Sequence, residues 1–308
     1  MKIIFMGTPD FALQSLAALN VNFNVALVIT QPDKPIGRKK EIIFSPVKRF
    51  CIESGLDFIQ PEKIRNNQEL LQVVTQINPD IVCVAAYGKI LSQEFLDIPK
   101  ICCVNIHASL LPKYRGAAPI NRAIINGDVE TGISLMKMDS GMDTGDIISS
   151  FKLQINDIDT TSTLTAKLAD LGANEIVKLI KSIESGSKLL SHKQDNNKAT
   201  IAPKMSKDDG LIDWGKSFKE IDSLIRGCDP WPIAFTHFNS QMVKIYKIKE
   251  HDSDRINQGE IKRIDKSMVV GCKDKNIEII KIQKSGQRQL TGKDFINGIS
   301  KIENPRFT

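Results

Sequence analysis

The chain has 308 residues, 41% of them hydrophobic and 25% charged, with six cysteines and a formal net charge of +6. That is the profile of a soluble protein of about two domains, large enough to fold around its own core without disulfide or metal staples. No apolar run approaches the roughly 18 residues of a membrane span, which excludes the membrane class along with the collagen-like, disordered and disulfide-rich secreted ones.

Taken in chain order, Lys2-Ile3-Ile4-Phe5-Met6-Gly7 reads as a strand entering a glycine turn rather than as a signal peptide. Strands are expected at Ile3–Met6, Val25–Ile29, Ile81–Ala85 and Ile101–Ile106, with helical patterns at Phe11–Leu19, Pro46–Ser54 and Gln68–Ile77 between them. Continuous Val/Ile/Cys runs fit strands buried on both faces, and their alternation with helices predicts βαβ units and a mostly parallel α/β sheet. Two further strands, Ile133–Met138 and Ile147–Ile155, lead to a long helix over about Ser162–Ile183. Residues 187–205 are polar, aperiodic and basic, and read as a linker between a domain of residues 1–186 and one of 206–308. Beyond it come one helix at about Ser217–Gly227 and short runs at Ala234–Phe238, Val243–Lys249, Gly259–Ile264, Met268–Cys272 and Ile277–Ile282. Strands this short predict a small β-barrel or sandwich, with an OB-like barrel expected by analogy.

The charge is regional. Residues 34–49 carry Lys34, Arg38, Lys39, Lys40, Lys48 and Arg49 against Glu41; residues 187–205 carry Lys188, Lys193, Lys198 and Lys204 against Asp195; residues 206–308 carry 19 basic and 15 acidic groups. The rest of the chain is acidic. Such a separation suits either a solvated charged face or contact with a polyanion.

Several chemistries drop out. The first strand runs into Gly7-Thr8-Pro9-Asp10-Phe11, without the second and third glycines of a dinucleotide fingerprint, and there is no P-loop. No Cys/His spacing fits zinc, and the six cysteines read as small buried hydrophobes in a reducing cytoplasm. Among four histidines only His107 stands at the carboxyl end of a buried strand, where open α/β sheets bind ligands. Asn105, two residues earlier, faces the same side. The loop Ser109-Leu110-Leu111-Pro112 then offers a partly apolar ledge for a flat ligand. Gly141-Met142-Asp143-Thr144-Gly145-Asp146 is an acid-bearing turn whose glycines permit close backbone approach. Either Asp143 or Asp146 could orient the imidazole.

Asn105-x-His107, Ser109-Leu110-Leu111-Pro112, Arg115-Gly116-Ala117-Ala118-Pro119-Ile120 and Gly141–Asp146 together resemble the 10-formyltetrahydrofolate-dependent formyltransferases. Gly7–Ala12, Gln31–Arg38, Ser45–Lys48, Lys204–Lys207 with Ile212-Asp213-Trp214, and Pro230-Trp231-Pro232 resemble the branch that formylates methionyl initiator tRNA. The likeness runs from residue 1 to about 235.

The resemblance implies a Rossmann-like catalytic domain and a tRNA-binding C-terminal barrel. It makes Asn105, His107 and Asp143 catalytic, with Asp143 preferred over Asp146. It places Ser109, Leu110, Leu111 and Pro112 against the folate, and the 34–49 loop, with Arg38, against the tRNA. The family pattern often has Gly after that arginine; here Lys39-Lys40 follows and adds charge. Formyltetrahydrofolate is implied as donor substrate, with no resident cofactor, no metal, no membrane and a cytoplasmic monomer. Purine-ribonucleotide formyltransferases are about one domain long and leave residues 206–308 unexplained. Sugar-nucleotide formyltransferases and formyl-folate hydrolases have no need of a basic 34–49 loop. A non-catalytic RNA-binding protein has no need of an intact Asn105, His107 and Asp143.

Overall fold

Val/Ile/Cys runs with no polar face are stable as strands where a sheet is covered on both sides. The computed structural model, in which residues 1–36 and 41–308 are described, has that arrangement. Its first part runs β1 (Lys2–Gly7), α1 (Asp10–Asn22), β2 (Asn24–Ile29), β3 (Pro35–Ile36), β4 (Glu41–Ile42), α2 (Pro46–Ser54) and β5 (Phe58–Ile59). It continues through α3 (Gln68–Ile77), β6 (Ile81–Ala85), α4 (Gln93–Leu96), β7 (Cys102–His107), α5 (Pro119–Ile125), β8 (Glu130–Lys137), β9 (Ile147–Gln154) and α6 (Thr161–Glu184). The sheet order is β5-β2-β1-β6-β7-β8-β9. The strands from β5 to β7 are parallel, and β8 and β9 are antiparallel additions at one edge.

Local chemistry sets the best-defined boundaries. Helix α2 starts where the Ser45 hydroxyl accepts from the Lys48 amide ahead of Pro46, and stops at Gly55 with φ +67°. Helix α3 is capped by Asn67 and closed by left-handed Asn78. These two helices and β6 have the bounds expected from the sequence. Strand β7 runs one residue further than expected, through His107, which extends the ladder with β8 as far as Ser134. The two-residue β3, β4 and β5 and the short α4 and α5 have too little periodicity to be foreseen.

By packing, one compact unit comprises residues 1–119, 130–154 and 165–203, and a second comprises 120–129, 155–164 and 204–308. The second holds α7 (Phe218–Gly227), β10 (Phe235–Phe238), β11 (Gln241–His251), β12 (Ile261–Ile264), β13 (Ser267–Gly271), β14 (Asn276–Lys284), β15 (Leu290–Thr291) and α8 (Gly292–Gly298). Its strands form an antiparallel sheet ordered β10-β11-β14-β13-β12, with β15 also on β14. The sheet is curled into a half-barrel, as the short alternating runs predicted. Trp214 and Phe307 stack on each other at 5.4 Å, and the Trp214 indole N–H donates to Thr236. The earlier segments that join this unit are hydrogen-bonded to it: Asn121 and Thr161 both donate to the Gly227 carbonyl, and Arg122 pairs with Asp209 at 2.9 Å.

Among the described residues no helix is long and apolar enough to cross a membrane, and no group of three or more His, Cys, Asp or Glu is placed to hold a metal. All six cysteines are free. Burial pushes the Cys51 and Cys102 thiols up to about 11 and Cys228 to about 12, which keeps them protonated and unreactive at neutral pH.

Candidate active site

The site lies at the carboxyl end of β7, inside the first unit. Asn105 and His107 alternate with core residues Val104 and Ile106, so both side chains leave the same face of the strand. The turn between β8 and β9 meets them. Asp143 Oδ1 accepts from Asn105 Nδ2 at 3.3 Å and stands 3.6 Å from His107 Nδ1. Its other oxygen, Oδ2, accepts from the Gly116 amide at 2.8 Å. The structure therefore separates the two aspartates that physics alone left equal: Asp143 reaches Asn105 and His107, whereas Asp146 holds the turn in place by accepting from the Lys137 amide through its backbone carbonyl.

Two glycines allow this approach. A Cβ on Gly145 would stand 1.8 Å from the Lys137 carbonyl oxygen, so the turn can lie against β8 only with glycine there. Gly116 has φ +114°, a conformation L side chains avoid, and a Cβ there would meet the Ala202 carbonyl at 2.8 Å. Asp143 itself adopts φ +54°, an uncommon conformation for a non-glycine residue.

His107 is 6% exposed. Its Nε2 lies 2.9 Å from the Tyr114 carbonyl. A carbonyl can only accept, so Nε2 carries a proton and Nδ1 is the nitrogen that faces Asp143. Asn105 has a second amide N–H beyond the one given to Asp143.

The Ser109–Pro112 ledge is more internal than the sequence indicates. The Ser109 hydroxyl donates to the Lys113 carbonyl, and its own carbonyl accepts from Ser134, whose hydroxyl also takes the Leu111 amide. Leu111 is buried with Met136 and Ile147, which leaves Leu110 and Pro112 half-buried at the surface of the loop. Tyr87, at the end of the neighbouring β6, is 1% exposed and belongs to the core between Met6, Ile29 and Leu91.

Arg38, Lys39 and Lys40 lie outside the described residues. The chain on either side of them is anchored: Lys48 pairs with Asp33, Gln60 donates to Asp33 Oδ1 and to the Gln31 carbonyl, and the Lys48 ammonium lies 4.0 Å above the Phe44 ring. Lys48 therefore differs from Lys34 and Arg49, which are exposed, because its charge is matched inside the fold. Burial works to raise the Asp33 carboxyl, but hydrogen bonds from Lys48 and Gln60 and the Lys48 charge hold it below the usual carboxylate range.

One residue at the site has no signal in the sequence. Gln194, within the polar 187–205 stretch, donates from Nε2 to the Asp143 carbonyl at 2.9 Å and to the Gly145 carbonyl at 2.7 Å. The stretch is laid along the first unit: the Arg115 amide donates to the Thr200 carbonyl, the Ala202 amide donates to the Arg115 carbonyl, and His192 and Ile147 exchange backbone bonds. A glutamine in an aperiodic polar run looks the same whether it is solvated or not. Only the demand of Arg115 for acceptors, had its burial been known, could have pointed to it.

Comparisons with known proteins identify the family. Residues 1–180 match the formyl transferase family and residues 204–300 its C-terminal domain. A methionyl-tRNA formyltransferase of Caldanaerobacter subterraneus subsp. tengcongensis is 44% identical over 301 residues, covering 97% of each chain, and one of Caldicellulosiruptor saccharolyticus is 42% identical with the same coverage. In fold, the chain is similar to WlaRD, a sugar 3N-formyl transferase solved in the presence of dTDP and 5-N-formyl-THF (TM-score 0.67, 22% identity, 94% of this chain and 99% of that one). It is also similar to HypX from Aquifex aeolicus in complex with tetrahydrofolic acid (TM-score 0.63, 14% identity, 98% of this chain and 48% of that one). With both of its family segments matched and relatives above 40% identity along nearly its whole length, this chain is a member of the formyl transferase family.

Proposed function

We propose that the protein moves a formyl group from N10 of 10-formyltetrahydrofolate to the α-amino group of methionine esterified to initiator tRNA, in the cytoplasm and as a monomer. The observation that carries this reading is the meeting of Asn105, His107 and Asp143 at the end of β7, in a chain 44% identical over its length to a methionyl-tRNA formyltransferase.

In this mechanism the free amine attacks the formyl carbon, and the carbonyl oxygen becomes an oxyanion. An α-amino group titrates near about 8, so a share of it is nucleophilic at neutral pH. The second N–H of Asn105 is the donor suited to the oxyanion, in a site already buried from water. The amine nitrogen then loses a proton, the carbon–N10 bond breaks, and N10 receives a proton. Asp143 and His107 are the paired groups that pass it, with the Tyr114 carbonyl fixing the imidazole. Leu110 and Pro112 offer the folate rings apolar surface. Arg38, Lys39 and Lys40, the basic 187–205 stretch and the C-terminal unit supply charge for the phosphate backbone.

The test is a formyl-transfer assay with 10-formyltetrahydrofolate, comparing methionyl initiator tRNA with free methionine and with a ribonucleotide amine. Transfer to the charged tRNA alone is expected. Transfer to a small amine, or release of formate, overturns the tRNA part of the reading and leaves the chemistry.

A further inference from the structure

Three consecutive residues, Tyr114, Arg115 and Gly116, each hold a different part of the site. The Tyr114 carbonyl accepts from His107 Nε2, and the Gly116 amide donates to Asp143 Oδ2. The Arg115 guanidinium points instead to Gln194. Its Nε and Nη2 donate to Gln194 Oε1 at 3.0 and 2.8 Å, and Nη2 also reaches Asn196 Oδ1 at 2.8 Å. Arginine has only donors, so the amide atom that faces it must be the oxygen, and this fixes the direction of the Gln194 side chain. The amide nitrogen is thereby turned onto the Asp143 and Gly145 carbonyls. A circuit of contacts results: a hydrogen bond from His107 to Tyr114, the backbone to Arg115, hydrogen bonds through Gln194 to Asp143, and the 3.6 Å approach of Asp143 Oδ1 to His107 Nδ1.

The circuit surrounds a strained point. Asp143 sits at φ +54°, a left-handed conformation that a residue with a Cβ keeps only where the surroundings hold it. The Gln194 amide grips the backbone at that residue's own carbonyl and at the Gly145 carbonyl two residues on. Arg115 is 7% exposed, so the group that orients the glutamine is itself fixed.

We infer that Gln194 is a positioning residue for this reaction: its side-chain amide, aimed by Arg115, sets the turn that delivers the Asp143 carboxylate to His107 and Asn105. It acts through Asp143 and touches no reacting atom. The inference rests on the reading of Asp143 as catalytic, and the experiment separates the two.

Gln194→Glu is the informative variant. It keeps the length of the side chain and gives the buried guanidinium a carboxylate, but it removes both donors to the turn. Steady-state formyl transfer would be measured for wild type, Gln194→Glu, Asp143→Asn and the double variant, with thermal unfolding followed in parallel. The expected result is a fall in kcat of about tenfold or more for Gln194→Glu, the scale of a misplaced catalytic group. Both KM values should stay within about threefold and the midpoint of unfolding should not drop. In the Asp143→Asn background the same change should have no further effect, because there is no carboxylate left to place.

A kcat within twofold of wild type overturns the inference, as does a loss that multiplies onto that of Asp143→Asn. Loss of cooperative unfolding in Gln194→Glu also overturns it, since the amide would then be holding the fold and not the turn. If Asp143→Asn itself retains wild-type kcat, the catalytic reading of Asp143 fails, and the inference with it. If Asp143→Asn collapses while Gln194→Glu does not, only the inference fails.

Discussion

Two stretches of this chain have the same appearance in charge, residues 34–49 and residues 187–205, yet the fold uses them differently. In the first, one cation among the described residues is taken into the structure: Lys48 pairs with Asp33 beside Gln60 and Phe44. In the second, Lys188, Lys193, Lys198 and Lys204 all stay exposed, and the neutral Gln194 is drawn in against Asp143. Net charge therefore locates a surface only where the cations have no internal partner. A neutral amide between lysines can be the residue of the stretch that the fold draws inward.

The sharpest way to set a scale for this contrast is Asp143→Asn, which keeps the shape of the side chain and removes its charge. Turnover should fall by about a thousandfold, within the combined range of losing proton transfer and an oriented donor set, while tRNA affinity measured by filter binding stays unchanged. Next in size is the combined Arg38→Ala, Lys39→Ala and Lys40→Ala variant. If these residues meet phosphates, kcat/KM for the charged tRNA falls and the slope of log affinity against log salt drops by about two to three; an effect on folate KM alone would break the assignment of that stretch.

Lys48→Met should behave unlike its neighbours. It leaves the Asp33 carboxylate without its cation and should destabilise the first unit by about 1–3 kcal/mol, read by urea unfolding. It should also change how stability depends on pH in the acid range. Asp33 has a folded value below 3.8, so its contribution is present above about pH 4 and is lost as pH falls through the lowered value. That acid limb should flatten in the Lys48→Met variant. The smallest effect belongs to Lys193→Ala: kcat unchanged, with a salt slope reduced by less than about one.

Legibility in the sequence followed the range of the interactions. Helices α2 and α3 could be placed because each carries its own cap, Ser45 with Pro46 and Gly55, and Asn67 with Asn78. Asn105 and His107 could be placed because alternation along a buried strand needs no knowledge of the rest of the chain. The choice of Asp143 over Asp146 could not be made from local physics, since the turn's closeness to β8 depends on a pairing register. Lys48 and Gln194 were illegible for the same reason. Their partners are 15 and 51 residues away and leave no mark on the local pattern. Helix α8 was missed because seven residues packed under Phe238 show too little periodicity of their own.

The distance between Gln194 and the turn it grips has a meaning for synthesis as well. A nascent chain that has emerged only as far as the end of α6 already contains Asn105, His107 and Asp143, but neither the amide that holds the turn nor Thr200, which takes the Tyr114 amide into its hydroxyl and the Arg115 amide into its carbonyl. Translation must proceed through residue 202, which closes the backbone pairing with Arg115, before the reacting groups have the surroundings seen in the finished molecule. On the roles proposed for Asn105, His107 and Asp143, activity begins only with a segment made after all three.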